Sequence, residues 1–253
     1  MNMTKETQSN LQLIAAWCGF WYIVVVLIGW GLVAGFLPPI HPSAPQSAIA
    51  TTFMSDYFRI RFGMILTMFA ALVFIPFTAV LCQYLARIEG RVGILSFSAL
   101  LGGAATMCLT FYPALWWLIA AYRPGRPPEI VYLLDDVAWL QFLGGVSIYL
   151  AMPLSVIVAA FCDTSAEPVF PRWVGYANIW LILILIPDQL LFFFYTGPFA
   201  WSGLFGFWLP LLGFGGWPPF TFYFLRKAVL RDRQRMNIAA AAPDAGPSAL
   251  PAT

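Results

Sequence analysis

The apolar positions of this chain come in long blocks separated by short polar breaks, and no alternating strand pattern competes with them. Runs longer than about 18 apolar residues read as membrane-spanning helices. Six are predicted: Leu11–Phe36, Ile60–Ala86, Val92–Tyr122, Val137–Phe161, Trp173–Gly197 and Leu204–Leu225. With no strand signal, the expected fold class is all-α, a polytopic transmembrane helical bundle. The third run is the longest and contains Pro113, which predicts tilt or a kink. The first run is too long for a signal-peptide core and is followed at once by more spans, so an uncleaved anchor is expected.

Composition agrees. Hydrophobic residues make up 61% of the 253 residues and charged residues 9%, where a soluble domain carries about 25% charged. Residues 1–236 are expected to form one membrane domain, and the Ala/Pro-rich segment 237–253 a disordered tail. The Pro-rich stretch "LPPIHPSAPQSA" is expected to be an extended loop. Lys and Arg set the orientation. With both termini cytoplasmic, nine basic residues (Lys5, Arg87, Arg91, Arg172, Arg226, Lys227, Arg231, Arg233 and Arg235) fall inside. Four (Arg59, Arg61, Arg123 and Arg126) fall outside. The expected location is the cell inner membrane. The basic "RKAVLRDRQR" patch follows a span and reads as a topology signal with anionic-lipid contact as its by-product, not as a nucleic-acid site. Cys18, Cys82, Cys108 and Cys162 lie apart without C-x-x-C spacing and read as small apolar packers.

Two hairpins echo one another. "IPFTAVL" is followed by "RVG", and "MPLSVIV" by "RWVG"; both have a central Pro and a turn at Arg. A duplicated helix pair and a chance recurrence of Pro, Gly and Val both fit.

The candidate chemistry lies in the few polar residues of the spans. Asp188 stands inside "ILIPDQLLFFF". Counting from Trp173 at about 1.5 Å per residue puts it about 22 Å across a roughly 30 Å core, in the outer half. An acid near mid-bilayer costs roughly 2.5–3.5 kcal/mol and should face the bundle and find a partner. Arg61 is the preferred partner, with Arg123 and His41 as alternatives, because Asp56 can pair locally with Arg59. "RPPEIVYLLDDVAWLQF" adds Asp135, Asp136 and Gln141, and its Pro127, Pro128 and Glu129 are expected to open a short interfacial helix. Asp135 and Asp136 resemble half of an Asp-rich magnesium motif whose other half is missing; acids at a helix start are the alternative. Trp116, Trp139 and Trp201 fall near the outer interface, as belt residues or as walls of a site for a flat apolar molecule. Gly31 and Gly35 make a G-x-x-x-G, and Gly102, Gly103, Ala104 and Ala105 a smooth packing patch. Gly213, Gly215, Gly216, Pro218 and Pro219 interrupt the last span, either as a broken helix that exposes carbonyls to an ion or substrate or as a kink relieved by packing against neighbouring helices.

A single histidine, His41, leaves haem, di-iron and typical zinc sites without ligands, and no nucleotide-binding glycine motif is present. No cofactor and no metal are expected.

"EPVFPRWVGYANIW", "YTGPFAWSG" with "FWLP", and "RPPEIVYLLDDVAWLQF" resemble segments of a group of uncharacterised bacterial six-span integral membrane proteins. The resemblance implies the same fold and orientation and carries no activity or catalytic residue.

The leading expectation is an inner-membrane protein that binds or transfers a hydrophobic small molecule or lipid through a pocket in the outer half of the bundle. Asp188 and Arg61 would form its floor, Asp135, Asp136 and Gln141 its rim, and Trp116, Trp139 and Trp201 its walls. Two alternatives stay open. One is an intramembrane isomerase or cyclase using Asp188 as general acid. The other is a non-catalytic subunit of a membrane complex, or a homo-oligomer, meeting its partners through the glycine faces.

Overall fold

The computed structural model describes residues 3–241. Among them every regular element is helical. α1 is Lys5–Val26, continued by a π-helical stretch Leu27–Val33. α2 (Gln46–Ser55) is a short helix beyond it, and begins inside the proline-rich stretch expected to be extended. α3 (Tyr57–Glu89) and α4 (Ile94–Tyr122) form a long hairpin. α5 (Pro128–Gly144), the single turn α6 (Val146–Tyr149) and α7 (Ala151–Cys162) follow almost in line. α8 (Arg172–Leu185) passes into a 3₁₀ segment Ile186–Phe193, and a π-helical turn Leu204–Trp208 leads into α9 (Leu209–Ala241).

Among the described residues five helical stretches are long and apolar enough to cross a membrane: Lys5–Val33, Tyr57–Glu89, Ile94–Tyr122, Pro128–Cys162 and Arg172–Phe193. By length and composition the chain is a multi-pass membrane protein. Six such stretches were expected. α9 has the length, but its Gly/Pro-rich first half and basic second half dilute its apolarity. Its proline and glycine pairs do not break it: α9 runs through Pro218 and Pro219, and the irregular turn lies earlier, at Leu204–Trp208. α9 also continues beyond Met236, where the membrane domain was expected to end; residues 242–253 of the expected tail lie outside the described residues.

Two contacts organise the bundle. α9 lies antiparallel along the whole of α1. Arg233 reaches Glu6 at 3.8 Å at one end, Trp17 meets Phe222 and Tyr22 meets Phe214 along the middle, and Trp30 meets Phe207 at the other. The end that carries Glu6 and Arg233 is called the terminal end below, and the opposite one the far end. The second contact joins α1 to α3. A Cβ added to Gly29 would lie 2.8 Å from the Gly63 carbonyl oxygen, and one added to Gly63 would meet the Gly29 carbonyl and the Ala34 nitrogen. The close helix approach is therefore made by Gly29, not by Gly31 and Gly35. Gly31 faces only Leu37, and Gly35 adopts φ +78° beside Arg59. Gly102 and Gly103 do form a packing patch, one against Ala151 and Met152 of α7, the other against Thr78 of α3.

Several threonine hydroxyls within the bundle bond back along their own helices, while the buried hydroxyls of Ser9 and Tyr149 have no partner among the described residues. Thr67 donates to the Gly63 carbonyl, Thr78 to Phe74 and Thr106 to Gly102. Gly90, at φ +73°, turns the chain from α3 to α4. The Glu89 carboxylate then accepts from the Leu95 and Ser96 amides, 3.0 Å each, and caps the free N–H groups of α4. The four cysteines are free.

Candidate functional site

Asp188 owes its position to Pro187. A proline has no N–H to give to the carbonyl four residues back, so regular α winding stops and the chain tightens into the 3₁₀ form over Ile186–Phe193. Three residues per turn align Asp188 with Leu191, and these two are the buried positions of the segment. Phe193 is turned outward. Gln189 fastens the segment to α5 by donating its Nε2–H to the Gly144 carbonyl at 3.1 Å, where α5 gives way to α6. An added Cβ on Gly144 would strike the Phe192 ring, so glycine is what lets the two elements meet.

Asp188 is 0% exposed, and among the described residues neither of its carboxylate oxygens has a hydrogen-bond partner. The expected pair with Arg61 is not formed. Arg61 lies in the first turn of α3 and stacks on Tyr122 at the end of α4, 5.6 Å from the ring centre. The segment that carries Asp188 packs instead with α5 and the turn Leu204–Trp208. Neither alternative partner supplies a counter-charge: Arg123 also lies over Tyr122, and the His41 ring bonds Ser43. The local pair Asp56–Arg59 is present at 3.6 Å.

The expected rim and walls are packed core. Pro128 opens α5 directly, with no separate interfacial helix, because no breaker intervenes before Gly144. Asp135 is 1% exposed; its Oδ1 accepts from the Trp117 indole N–H at 2.8 Å and its Oδ2 has no partner. Asp136, one residue on, turns to a half-buried face. Gln141 Oε1 accepts from Trp116 at 2.8 Å. These two indole bonds tie α4 to α5. Trp139 is 1% exposed and sits among Trp117 (5.1 Å), Trp30 (5.9 Å), Phe36 (6.0 Å) and Phe207 (6.3 Å), with Trp201 stacked parallel at 6.2 Å. Trp201 in turn donates to the Ile40 carbonyl, which holds the turn "YTGPFAWSG" against the segment following α1. The aromatic rings fill the far half of the bundle rather than line a space in it.

Sequence reasoning missed three polar pairs. Trp217 donates to Asn178 Oδ1 at 2.7 Å, while Asn178 donates to the Val174 carbonyl. The hydroxyls of Tyr22 and Thr110 meet at 2.6 Å. Trp117 binds Asp135 rather than a ligand. The usable signal was stoichiometric: a buried indole N–H needs an acceptor, and the spans contain very few.

A second polar constellation lies at the terminal end. A cavity of about 520 Å³ opens between the end of α3, the loop joining α7 to α8, and α9. Arg87 donates to Asp232 at 2.6 Å, and the Tyr84 hydroxyl donates to the same Oδ2 at 2.9 Å. Arg235 meets Glu167 at 2.8 Å, and Arg231 bonds the Glu167 and Pro168 carbonyls. Asp163 folds the loop by accepting from the Ser165 and Val169 amides. Partial burial works against its charge, but those donors and the Arg231 charge prevail and hold its carboxyl below the ordinary 3.8. A lowered value in the folded state means stability that is present above the ordinary carboxylate range and lost as the pH falls through the folded value. Melting temperature in detergent is therefore expected to drop on acidification below about pH 4. Asp163→Asn should start lower at neutral pH and lose part of that acid limb; an unchanged limb in the variant would contradict the assignment.

No family model, curated protein or solved structure matches the chain, so the resemblance to bacterial six-span proteins rests on the quoted segments alone.

Proposed function

We propose that this is a six-span inner-membrane protein with both termini in the cytoplasm. In this reading it binds or transfers a hydrophobic small molecule or lipid in the far, outer half of the bundle, with Asp188 as the polar contact. The antiparallel seat of α9 on α1 supports the sixth crossing: a helix that accompanies a spanning helix from Glu6 to Trp30 traverses the same depth. The excess of Lys and Arg at the terminal end supports the orientation.

The observation that carries the reading is the enclosed, unpartnered carboxyl of Asp188. A stranded buried polar group costs about 1–3 kcal/mol, and a leucine there would be free of that cost. In the same half of the bundle the Trp30 indole N–H and Asp135 Oδ2 are also without partners among the described residues, so that half holds both a free donor and free acceptors for a ligand's polar head. The surroundings suit movement. The 3₁₀ segment packs on the π-helical turn Leu204–Trp208, and irregular backbone at membrane depth is tolerated where protein buries it or it borders a cavity. The pocket foreseen from sequence is filled by Trp139 and its neighbours, so a ligand reaches Asp188 sideways, by displacing the segment Ile186–Phe193 with its exposed Phe192 and Phe193.

The test uses the purified protein in nanodiscs with a photoactivatable fatty-acyl probe. Wild type should be labelled within residues 186–194, and Asp188→Leu should cut that labelling about tenfold, the equivalent of 1.4 kcal/mol. The same variant should melt higher than wild type in detergent, because it removes a stranded polar group. Equal labelling of both proteins would remove the basis for the site.

A further inference from the structure

We infer that the cavity at the terminal end is a binding site for a singly charged phosphate-type oxyanion. This stands apart from the site at Asp188 and needs no assumption about which face of the membrane it lies on.

Arg87, Arg231 and Arg235 line the cavity together with Asp163, Glu167 and Asp232, so formal charge balances. Bonding capacity does not. A guanidinium carries five N–H donors and no acceptor. Among the described residues Arg87 spends one terminal nitrogen, on Asp232, and Arg235 one, on Glu167. Both guanidinium groups are largely exposed, with 56% and 66% of the side chain accessible. The acceptors are fewer, and among the described residues only Asp232 Oδ1 and Glu167 Oε1 hold no bond. Each Asp163 oxygen holds a backbone amide. Asp232 Oδ2 takes both Arg87 and Tyr84, and Glu167 Oε2 takes Arg235 at 2.8 Å and Arg231 at 3.6 Å. The hydroxyls of Thr164 and Ser165 add further donors to the wall. A wet cavity of about 520 Å³ rich in unspent donors accepts an oxyanion. Two planar forks on facing elements suit the oxygens of a phosphate better than those of a halide.

The balanced charge limits the guest. One negative charge enters without strong repulsion, whereas a doubly charged ion meets three carboxylates at close range. Ile88, Val169 and Ala228 give the cavity an apolar side, which accommodates the glycerol or acyl portion of a phosphodiester lipid at the membrane surface. A phosphodiester headgroup and free inorganic phosphate share this chemistry, and the experiment separates them.

In detergent, inorganic phosphate is titrated against chloride at constant ionic strength, following melting temperature. In parallel, the protein is placed in phosphatidylcholine nanodiscs with or without phosphatidylglycerol, and retained lipid is counted by native mass spectrometry. Stabilisation by phosphate alone identifies the free ion as the guest. Selective retention of phosphatidylglycerol identifies the headgroup. Arg87→Gln with Arg235→Gln should weaken whichever response appears by about tenfold or more, the loss expected from removing charge-assisted contacts. That double variant leaves Arg231 to hold the loop. Lys5→Gln with Arg172→Gln, an equal charge change at exposed positions outside both the cavity and the 226–235 basic patch, should leave the response intact. The inference is overturned if neither phosphate nor phosphatidylglycerol gives a response above its control. It is also overturned if the Lys5/Arg172 variant loses as much as the Arg87/Arg235 variant.

Discussion

Gly63→Val is expected to cost about 3 kcal/mol, at the upper end of what overpacking does, because the new atoms meet backbone rather than a side chain able to turn away. A Cβ at residue 63 lands on the Gly29 carbonyl and on the nitrogen and Cβ of Ala34. None of those can move without shifting α1 against α3, and the π-helical stretch Leu27–Val33 places them there. In scanning fluorimetry the melting temperature should fall by on the order of 10 °C. Gly31→Val is the matched comparison. Its added Cβ has only the Leu37 side chain near, at 3.6 Å, so it should melt close to wild type. If the two variants melted alike, the α1–α3 contact described above would be wrong.

Trp139→Ala should cost about 3–5 kcal/mol, the range for truncating a buried aromatic. Trp139 is the ring on which Trp30, Phe36, Trp117, Trp201 and Phe207 converge. Its removal empties the middle of the cluster and unseats Trp201, which anchors a turn through the Ile40 carbonyl. The contrast with Asp188 is the informative part. Two residues of the same half of the bundle should move stability in opposite directions, Trp139→Ala down and Asp188→Leu up. Were Trp139 the wall of an open pocket, its truncation would leave melting almost unchanged and alter labelling by the acyl probe instead.

The helical character of the chain was legible because spanning needs only length and apolarity, and Tyr57–Glu89 or Ile94–Tyr122 supply both in unbroken runs. Asp56–Arg59 was legible because three residues of one helix are neighbours whatever surrounds them. The absence of a pair between Asp188 and Arg61 was not. Pairing between elements depends on the rotation of each helix about its axis, and Pro187 alters that rotation by switching from about 100° to about 120° per residue. A projection based on the α-helical angle misplaces every side chain that follows. Asp135 was misread for a different reason. Acids beside a helix start look like loop residues in one dimension, yet Asp135 lies two turns inside α5 with its Oδ1 under the Trp117 indole. For the last helix Pro218 and Pro219 left open both a break and a kink relieved by packing, and α9, packed against α1 and α8, runs on without a break.

The pairing of α1 with α9 bears on how the molecule is made. α1 leaves the ribosome with Tyr22 and Trp30 lacking the Phe214 and Phe207 rings that will cover them, and those arrive only once residues 204–222 have been made. Until then one flank of α1 must be shielded by lipid or by the insertion machinery. Assembly of the bundle is thus closed at its seam by a segment synthesised after the four intervening spans, and a chain released before residue 204 would keep that flank open.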